Sequence, residues 1–391
     1  MKILKRITAI ILATSIVTLS GCDNQTVNSG GSSESSESVS DLSSAMTSES
    51  SQQEESRDEA NTDDDKNTEL IFKNAFIQEI TKIDENTLLA KHTDFIQLID
   101  SNTYKIIKEI PGSDIVLVRR FCKGFVTISN SNFFEVFDLK GDMISHVDLP
   151  ARKPEGEELE YYAPDDKVPL VNSFSLCIST DGDKVVYYSD KGLCTNNIAF
   201  DNEVVIHTKD EVNGGYKDLP IMIKPLLYKN DILYGEARKY NHTTNASEFF
   251  FASMNLKTKE WTIYQKLNKE QQIFSCDSFP ENSFLIVDAG ADYRFTEGKL
   301  SYFTIGDNEM SEFVCEEQYE SIRAFISDNA NFILTTHEHS INDAEIKLYD
   351  VKTGEVLLKQ KVEYHAQTTY IDEDARKLYA VCGTEFSVFD F

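Results

Sequence analysis

His337-Glu338-His339 is the arrangement in this chain closest to a metal site. Residues i and i+2 of a strand share one face, so two imidazoles would converge on one ion. A third donor is missing nearby, and the helical HExxH spacing is absent. The pair therefore reads as two histidines of a surface loop. Asp181-Gly182-Asp183 and Asp63-Asp64-Asp65 lack the length and the distal glutamate of a calcium loop. No G-x-S-x-G elbow and no phosphate-cradling glycine loop occurs. Glycoside hydrolysis needs two placed carboxylates, but 66 aspartates and glutamates supply many pairs by chance. The expectation is no catalytic residue, no metal and no cofactor.

Seven cysteines raise a second chemistry. Apart from Cys22 these are Cys122, Cys177, Cys194, Cys276, Cys315 and Cys382. Most lie inside apolar, strand-like runs, where a thiol behaves as a small hydrophobe. Cys177 and Cys194 fall on the first and third strands of one unit, roughly 9–10 Å apart and too far for a disulfide. Mainly free thiols are expected.

The elements that would position any site repeat along the chain. Residues 319–362 show the unit: four short strands and three polar turns. Its first hairpin turns at Ser327-Asp328-Asn329, where short polar side chains bond their own backbone. The second strand is read as Phe332 to Thr336, followed by a polar loop from His337 to Ala344. Its closing hairpin turns at Asp350-Val351-Lys352-Thr353-Gly354, with glycine late, where positive φ is cheap. Related closing hairpins follow Asp100, Asp138 and Asn255, and Val388-Phe389-Asp390 ends the chain as another copy. Units are read near 75–112, 113–149, 170–208, 216–267, 272–316, 319–362 and 363–391, about 45 residues each. The last lacks an outer strand, and Leu70–Asn74 reads as a spare strand before the first. The fold expected is all-β, a β-propeller of about seven four-stranded blades with the last blade closed by the N-terminal strand.

These repeats resemble the WD40-like and TolB-like propeller families over roughly residues 69–391. The resemblance implies architecture and carries over no functional residue, since the Gly-His and Trp-Asp pairs of true WD40 repeats are absent. Asp350-x-x-Thr353-Gly354 is also similar to the docking motif of quinone propellers. Leu358 stands where that pattern has tryptophan, and Trp261 is the one tryptophan in the chain, so no quinone is expected.

Residues 1–21 read as a signal peptide: Lys2, Lys5 and Arg6, then an apolar run from Ile7 to Leu19 too short for a comfortable span. Leu19-Ser20-Gly21-Cys22 resembles the bacterial lipoprotein lipobox. The resemblance implies cleavage before Cys22, diacylglycerol on its sulfur, a further acyl chain such as palmitate, and attachment to the bacterial cell membrane on its extracytoplasmic face. Residues 22–68 are rich in serine and acid and nearly free of apolar side chains, so they read as a disordered tether. Residues 69–391 form the propeller domain.

Five insertions depart from the unit: Pro150–Pro169, Thr208–Leu219, Lys239–Ala246, Gly290–Gly298 and Glu338–Ala344. In an up-and-down blade both connection types involved emerge at one end, so all five should crowd one rim. Function concentrates on loops held by a rigid scaffold. The candidate binding residues of that rim are Tyr161, Tyr162, Tyr216, Arg238, Tyr240, His242, Tyr293, Arg294, His337 and His339, read as exposed, with Asp165 and Asp166 beside them.

A formal charge of −28 excludes nucleic acid as a natural partner, because phosphate contacts need lysine and arginine. It also opposes lying flat on anionic lipid, leaving the lipid anchor as the membrane contact. The function expected is a monomeric, membrane-anchored scaffold for a protein, peptide or glycan. The alternatives are an extracytoplasmic hydrolase or lyase on the same scaffold, or an assembly factor in a membrane complex.

Overall fold

A computed structural model describes residues 68–72, 76–112, 114–129, 133–155, 168–169, 171–214, 220–241, 243–268, 271–275, 281–288, 299–314, 321–340 and 342–391. Cys22, the signal peptide and the tether lie outside the described residues. The fold is that of the compact unit Asn67–Lys153 with Asp165–Phe391.

Seven four-stranded antiparallel sheets form a β-propeller. The first strand in the chain, β1 (Thr68–Phe72), belongs to the last blade. Blade 1 is β2 (Glu79–Asp84), β3 (Thr87–Lys91), β4 (Phe95–Asp100) and β5 (Ile106–Pro111). Blade 2 is β6 (Ile115–Phe121), β7 (Gly124–Ser129), β8 (Phe133–Asp138) and β9 (Met143–Asp148). A small ribbon, β10 (Ala151–Arg152) with β11 (Val168–Pro169), follows it. Blade 3 is β12 (Asn172–Ile178), β13 (Lys184–Ser189), β14 (Gly192–Asn197) and β15 (Val204–Thr208), after which comes a short helix, α1 (Lys209–Gly214). Blade 4 is β16 (Ile221–Lys229), β17 (Ile232–Asn241), β18 (Ala246–Asn255) and β19 (Trp261–Leu267). Blade 5 is β20 (Gln271–Ser275), β21 (Ser283–Asp288), β22 (Lys299–Thr304) and β23 (Met310–Val314). Blade 6 is β24 (Ser321–Ile326), β25 (Phe332–Ser340), β26 (Asp343–Asp350) and β27 (Val356–Val362). Blade 7 is β28 (Ala366–Asp372), β29 (Lys377–Cys382) and β30 (Glu385–Asp390), with β1 as its outer strand, Thr68 opposite Phe389. The expected closure by the N-terminal strand is therefore present.

The turns form for the reason the sequence suggested. At the closing hairpins, Asp100 Oδ1 accepts the amides of Asn102 and Thr103 at 2.9 and 2.7 Å. Asp138, Asn255 and Asp350 do the same for their own turns. One residue late in each turn adopts positive φ: Tyr104 (55°), Gly141 (75°), Phe200 (57°), Lys259 (63°), Asn308 (55°) and Gly354 (73°). After the turn a bulge shifts the register, as between Leu98 and Ile99 or Leu348 and Tyr349.

The core is divided among the blade interfaces, because successive residues of a strand face opposite sides of its sheet. In β3, Leu88 packs into the interface with blade 7 and Leu89 into the interface with blade 2. All seven interfaces carry such a cluster. Blades 2 and 3 meet through Phe134, Leu176 and Tyr187, and blades 4 and 5 through Tyr234, Phe251, Phe284 and Phe303. Blades 6 and 7 meet through Leu334, Leu348, Leu378 and Phe389. Cys177, Cys194 and Cys382 are buried in these clusters, and these three and the exposed Cys122 are free thiols.

Candidate functional site

The two ends of the ring are built differently. One end carries the links from second to third strands and from blade to blade. The hairpins β17–β18 and β25–β26 reach beyond their neighbours here, with strands of ten and ten and of nine and eight residues against five or six in β3 and β4. The ribbon β10–β11 and helix α1 lie in links at this same end.

Of the ten candidate rim residues, Tyr161, Tyr162, Tyr216, His242, Tyr293 and Arg294 lie outside the described residues, as do Asp165 and Asp166. Arg238 is half-buried and donates to the carbonyl of Val212, fastening β17 to α1. Tyr240 donates to Asn245 Oδ1 and braces the tip of its own hairpin. His339 is exposed.

His337 corrects the expectation of an exposed loop histidine: it is 4% exposed, and its Nε2 lies 2.9 Å from Thr335 Oγ1. The cause is strand length. The polar stretch after Thr336 is not a loop, since β25 runs on to Ser340 and pairs with β26 as far as Asp343. Alternation then turns Thr335 and His337 to the face that Ile333 packs against blade 5, beside buried Glu345 and Lys347, which form an ion pair at 3.1 Å. Polar residues survive there because each finds a partner.

The other end carries the first and closing hairpins, and a belt of hydrogen bonds joins every pair of neighbouring blades there. Arg120 of blade 2 donates to the carbonyl of Lys82 of blade 1. The Cys122 amide reaches the Thr180 carbonyl at 2.9 Å, and the Thr180 amide reaches the Tyr228 carbonyl at 3.2 Å. Lys229 of blade 4 donates to Asn282 Oδ1 of blade 5. Ser283 Oγ donates to the Ser327 carbonyl at 2.6 Å. Glu373 of blade 7 accepts from the Asn329 amide at 2.9 Å and from Asn331 Nδ2 at 2.6 Å. Lys82 closes the circuit on Asp372 of blade 7 at 2.5 Å.

Charge is unevenly settled inside this belt. Burial, then the neighbouring Glu373, pushes the Asp328 carboxyl up to about 6. Burial also works against charge on Glu373, but hydrogen bonds from Ser327, Asn331 and Asn329 overcome it and hold this carboxyl below its ordinary value. Burial lowers Arg120 to about 10 against the opposing pull of Tyr370, Asp84 and Asp328. Nearby, a small cleft of about 10 Å³, room for no more than a single water, is lined by Arg119, Arg120, Cys177, Thr180, Leu226 and Glu281 among others. Arg119 stands 3.7 Å from Glu79, whose carboxyl burial pushes up against the charges of Arg119 and Lys91. Among the described residues no group of three or more histidines, cysteines and acids is placed to hold a metal ion. The sequence reading took Asp328 as a turn former only. Polar residues recur at the first hairpins in the sequence, and what their recurrence does not show is that they bond from blade to blade.

No protein-family model matches the chain, and no curated protein matches its sequence. Solved structures do match its fold. The chain is similar to the β-propeller domain of Cps50 (Swd1) from Myceliophteria thermophila, at 9% identity and a TM-score of 0.50, over 83% of this chain and 99% of that one. It is also similar to the C-terminal WD40 domain of Sif2, at 12% identity and a TM-score of 0.51, over 83% and 99%. At such identities the likeness is one of fold, that of WD40-type propellers.

Proposed function

We propose that this propeller is an extracytoplasmic scaffold, tethered to the bacterial membrane through lipid on Cys22, that presents one end of its ring to a protein, peptide or glycan partner. The supporting observation is the asymmetry of the two ends. One is tied blade to blade by hydrogen bonds and an ion pair among the described residues of its hairpins. The other gathers the extended hairpins of blades 4 and 6, the helix and the ribbon. A rigid ring with elaborated loops at one end is how scaffolds display binding residues. WD40-type propellers generally serve protein partners, an analogy at the level of fold. The acidic chain and the lipobox support a tethered, monomeric protein that stands off the lipid surface.

The test is in-cell photo-crosslinking, with the photoreactive residue at Thr244 or His339 on the elaborated end or at Lys352 on the opposite end. A discrete protein or glycan adduct from Thr244 or His339 and none from Lys352 is the expected result. Adducts from Lys352 alone, or from no position, would overturn the scaffold reading. Fractionation of a Cys22→Ser variant reports the anchor separately: the protein should leave the membrane fraction.

A further inference from the structure

Three side chains from three blades meet in a line within the belt. Lys229 ends β16 of blade 4, and its ammonium group donates to Asn282 Oδ1 while lying 3.5 Å from the Glu281 carbonyl. Asn282 directly precedes β21 of blade 5, and its Nδ2 donates to Asp328 Oδ2 at 3.1 Å. Asp328 sits in the turn between β24 and β25 of blade 6. All three are half-buried, and each stands on or beside a strand whose position the ring fixes. The sequence thus brings an amine against a carboxamide, with a carboxyl group bonded to the amide nitrogen that would have to leave.

We propose that Lys229 and Asn282 condense to an isopeptide bond, with Asp328 as the group that carries the protons, so that blades 4 and 5 are joined covalently. The balance is simple. Asp328 takes one proton from the Lys229 ammonium, leaving a neutral amine and a neutral carboxyl. The amine nitrogen attacks Asn282 Cγ, and the bond from Cγ to Nδ2 breaks. Asp328 relays the proton of the attacking nitrogen to Nδ2, which departs as ammonia; Asp328 then releases the proton it took from Lys229, and the ammonia takes it up in water. The sum is a lysine ammonium plus a carboxamide giving a secondary amide plus ammonium. Nothing is oxidised or reduced, and no co-reactant is needed.

Positioning supplies what such a reaction lacks in solution, where amine and amide seldom meet in a reactive geometry. A proton carrier works best when its affinity for protons lies near the ambient pH. The carboxyl of Asp328, pushed up to about 6, is closer to that condition than an ordinary aspartate.

Peptide mapping of the full-length protein by mass spectrometry tests this. The expected product is a branched peptide joining the segments around Lys229 and Asn282, lighter than the sum of its parts by about 17 Da, one ammonia. Trypsin should fail to cut at Lys229. The branch should be absent from Lys229→Arg, which keeps the charge, and from Asp328→Asn. Linear peptides with Lys229 cleaved would overturn the proposal. So would a loss of ammonia on Asn282 without a branch, which marks a succinimide. A branch that persists in Asp328→Asn would overturn the assigned role of the carboxyl and the proposal as stated.

Discussion

Replacing Asp372 by alanine should weaken the ring where the two ends of the chain meet. Asp372 is 3% exposed and holds two donors: Lys82 of blade 1 at 2.5 Å and the Ala375 amide of its own turn at 3.0 Å. The substitution removes two hydrogen bonds to a carboxylate, one from an ammonium and one from an amide, for each of which about 1.5–3 kcal/mol is usual. It also leaves the Lys82 ammonium, whose side chain is 16% exposed, in a half-desolvated site without its carboxylate. Because Lys82 can swing part-way to water, the net loss should be about 2–3 kcal/mol. Urea denaturation followed by far-ultraviolet circular dichroism should show the midpoint falling by about 1 M if the slope is near 3 kcal/mol/M. Asp142→Ala is the control, since it removes the same charge from an exposed pair, Lys108 with Asp142, and should leave the midpoint in place. Equal midpoints for the two variants would refute the argument that the belt closes the ring at this junction.

Two further outcomes follow from burial. Maleimide added to the folded protein should label Cys122 while sparing Cys177, Cys194 and Cys382, the first and last of which burial pushes up to about 12; stoichiometric labelling of those three before unfolding would contradict the interface packing. Asp328, at about 6 against an ordinary 3.8, binds its proton more tightly folded than unfolded, so stability should fall as pH rises from about 4 to about 6 and stay lowered above that. The full shift would correspond to about 3 kcal/mol, which partial exposure to solvent reduces to about 1 kcal/mol. With Lys229→Arg as the background, so that no covalent bridge forms, adding Asp328→Asn should raise stability by that amount at pH 7.5 and not at pH 4. The same gain at both values would mean that the Asp328 charge is not the cause.

What could be read in the sequence was local. Asp100, Asp138, Asn255 and Asp350 announce their turns because each bonds backbone within a few residues of itself. The spare strand near Leu70 was legible from simple counting, since the last unit was one strand short. Other features depend on what lies across the ring. The run after Thr336 is polar enough to pass for a loop, and only the pairing of Thr335 with His337 and of Glu345 with Lys347 makes strand burial tolerable there. Tyr104, Phe200 and Lys259 occupy left-handed positions that sequence reasoning reserves for glycine or asparagine. The line from Lys229 through Asn282 to Asp328 joins residues 53 and 46 positions apart, with no spacing rule to announce it.

The strand β1 also sets a timetable. Its partner β30 is synthesised about 320 residues later, while every other blade pairs strands within one unit. At about 5–20 residues per second, β1 leaves the ribosome roughly 15 seconds to a minute before the strand it needs exists, long enough for a small sheet to form many times over. Six blades can therefore assemble in order from local pairings while the first strand waits. The seventh forms only once β30 has emerged, so a product truncated before it stays an open arc that exposes the apolar faces of its end blades.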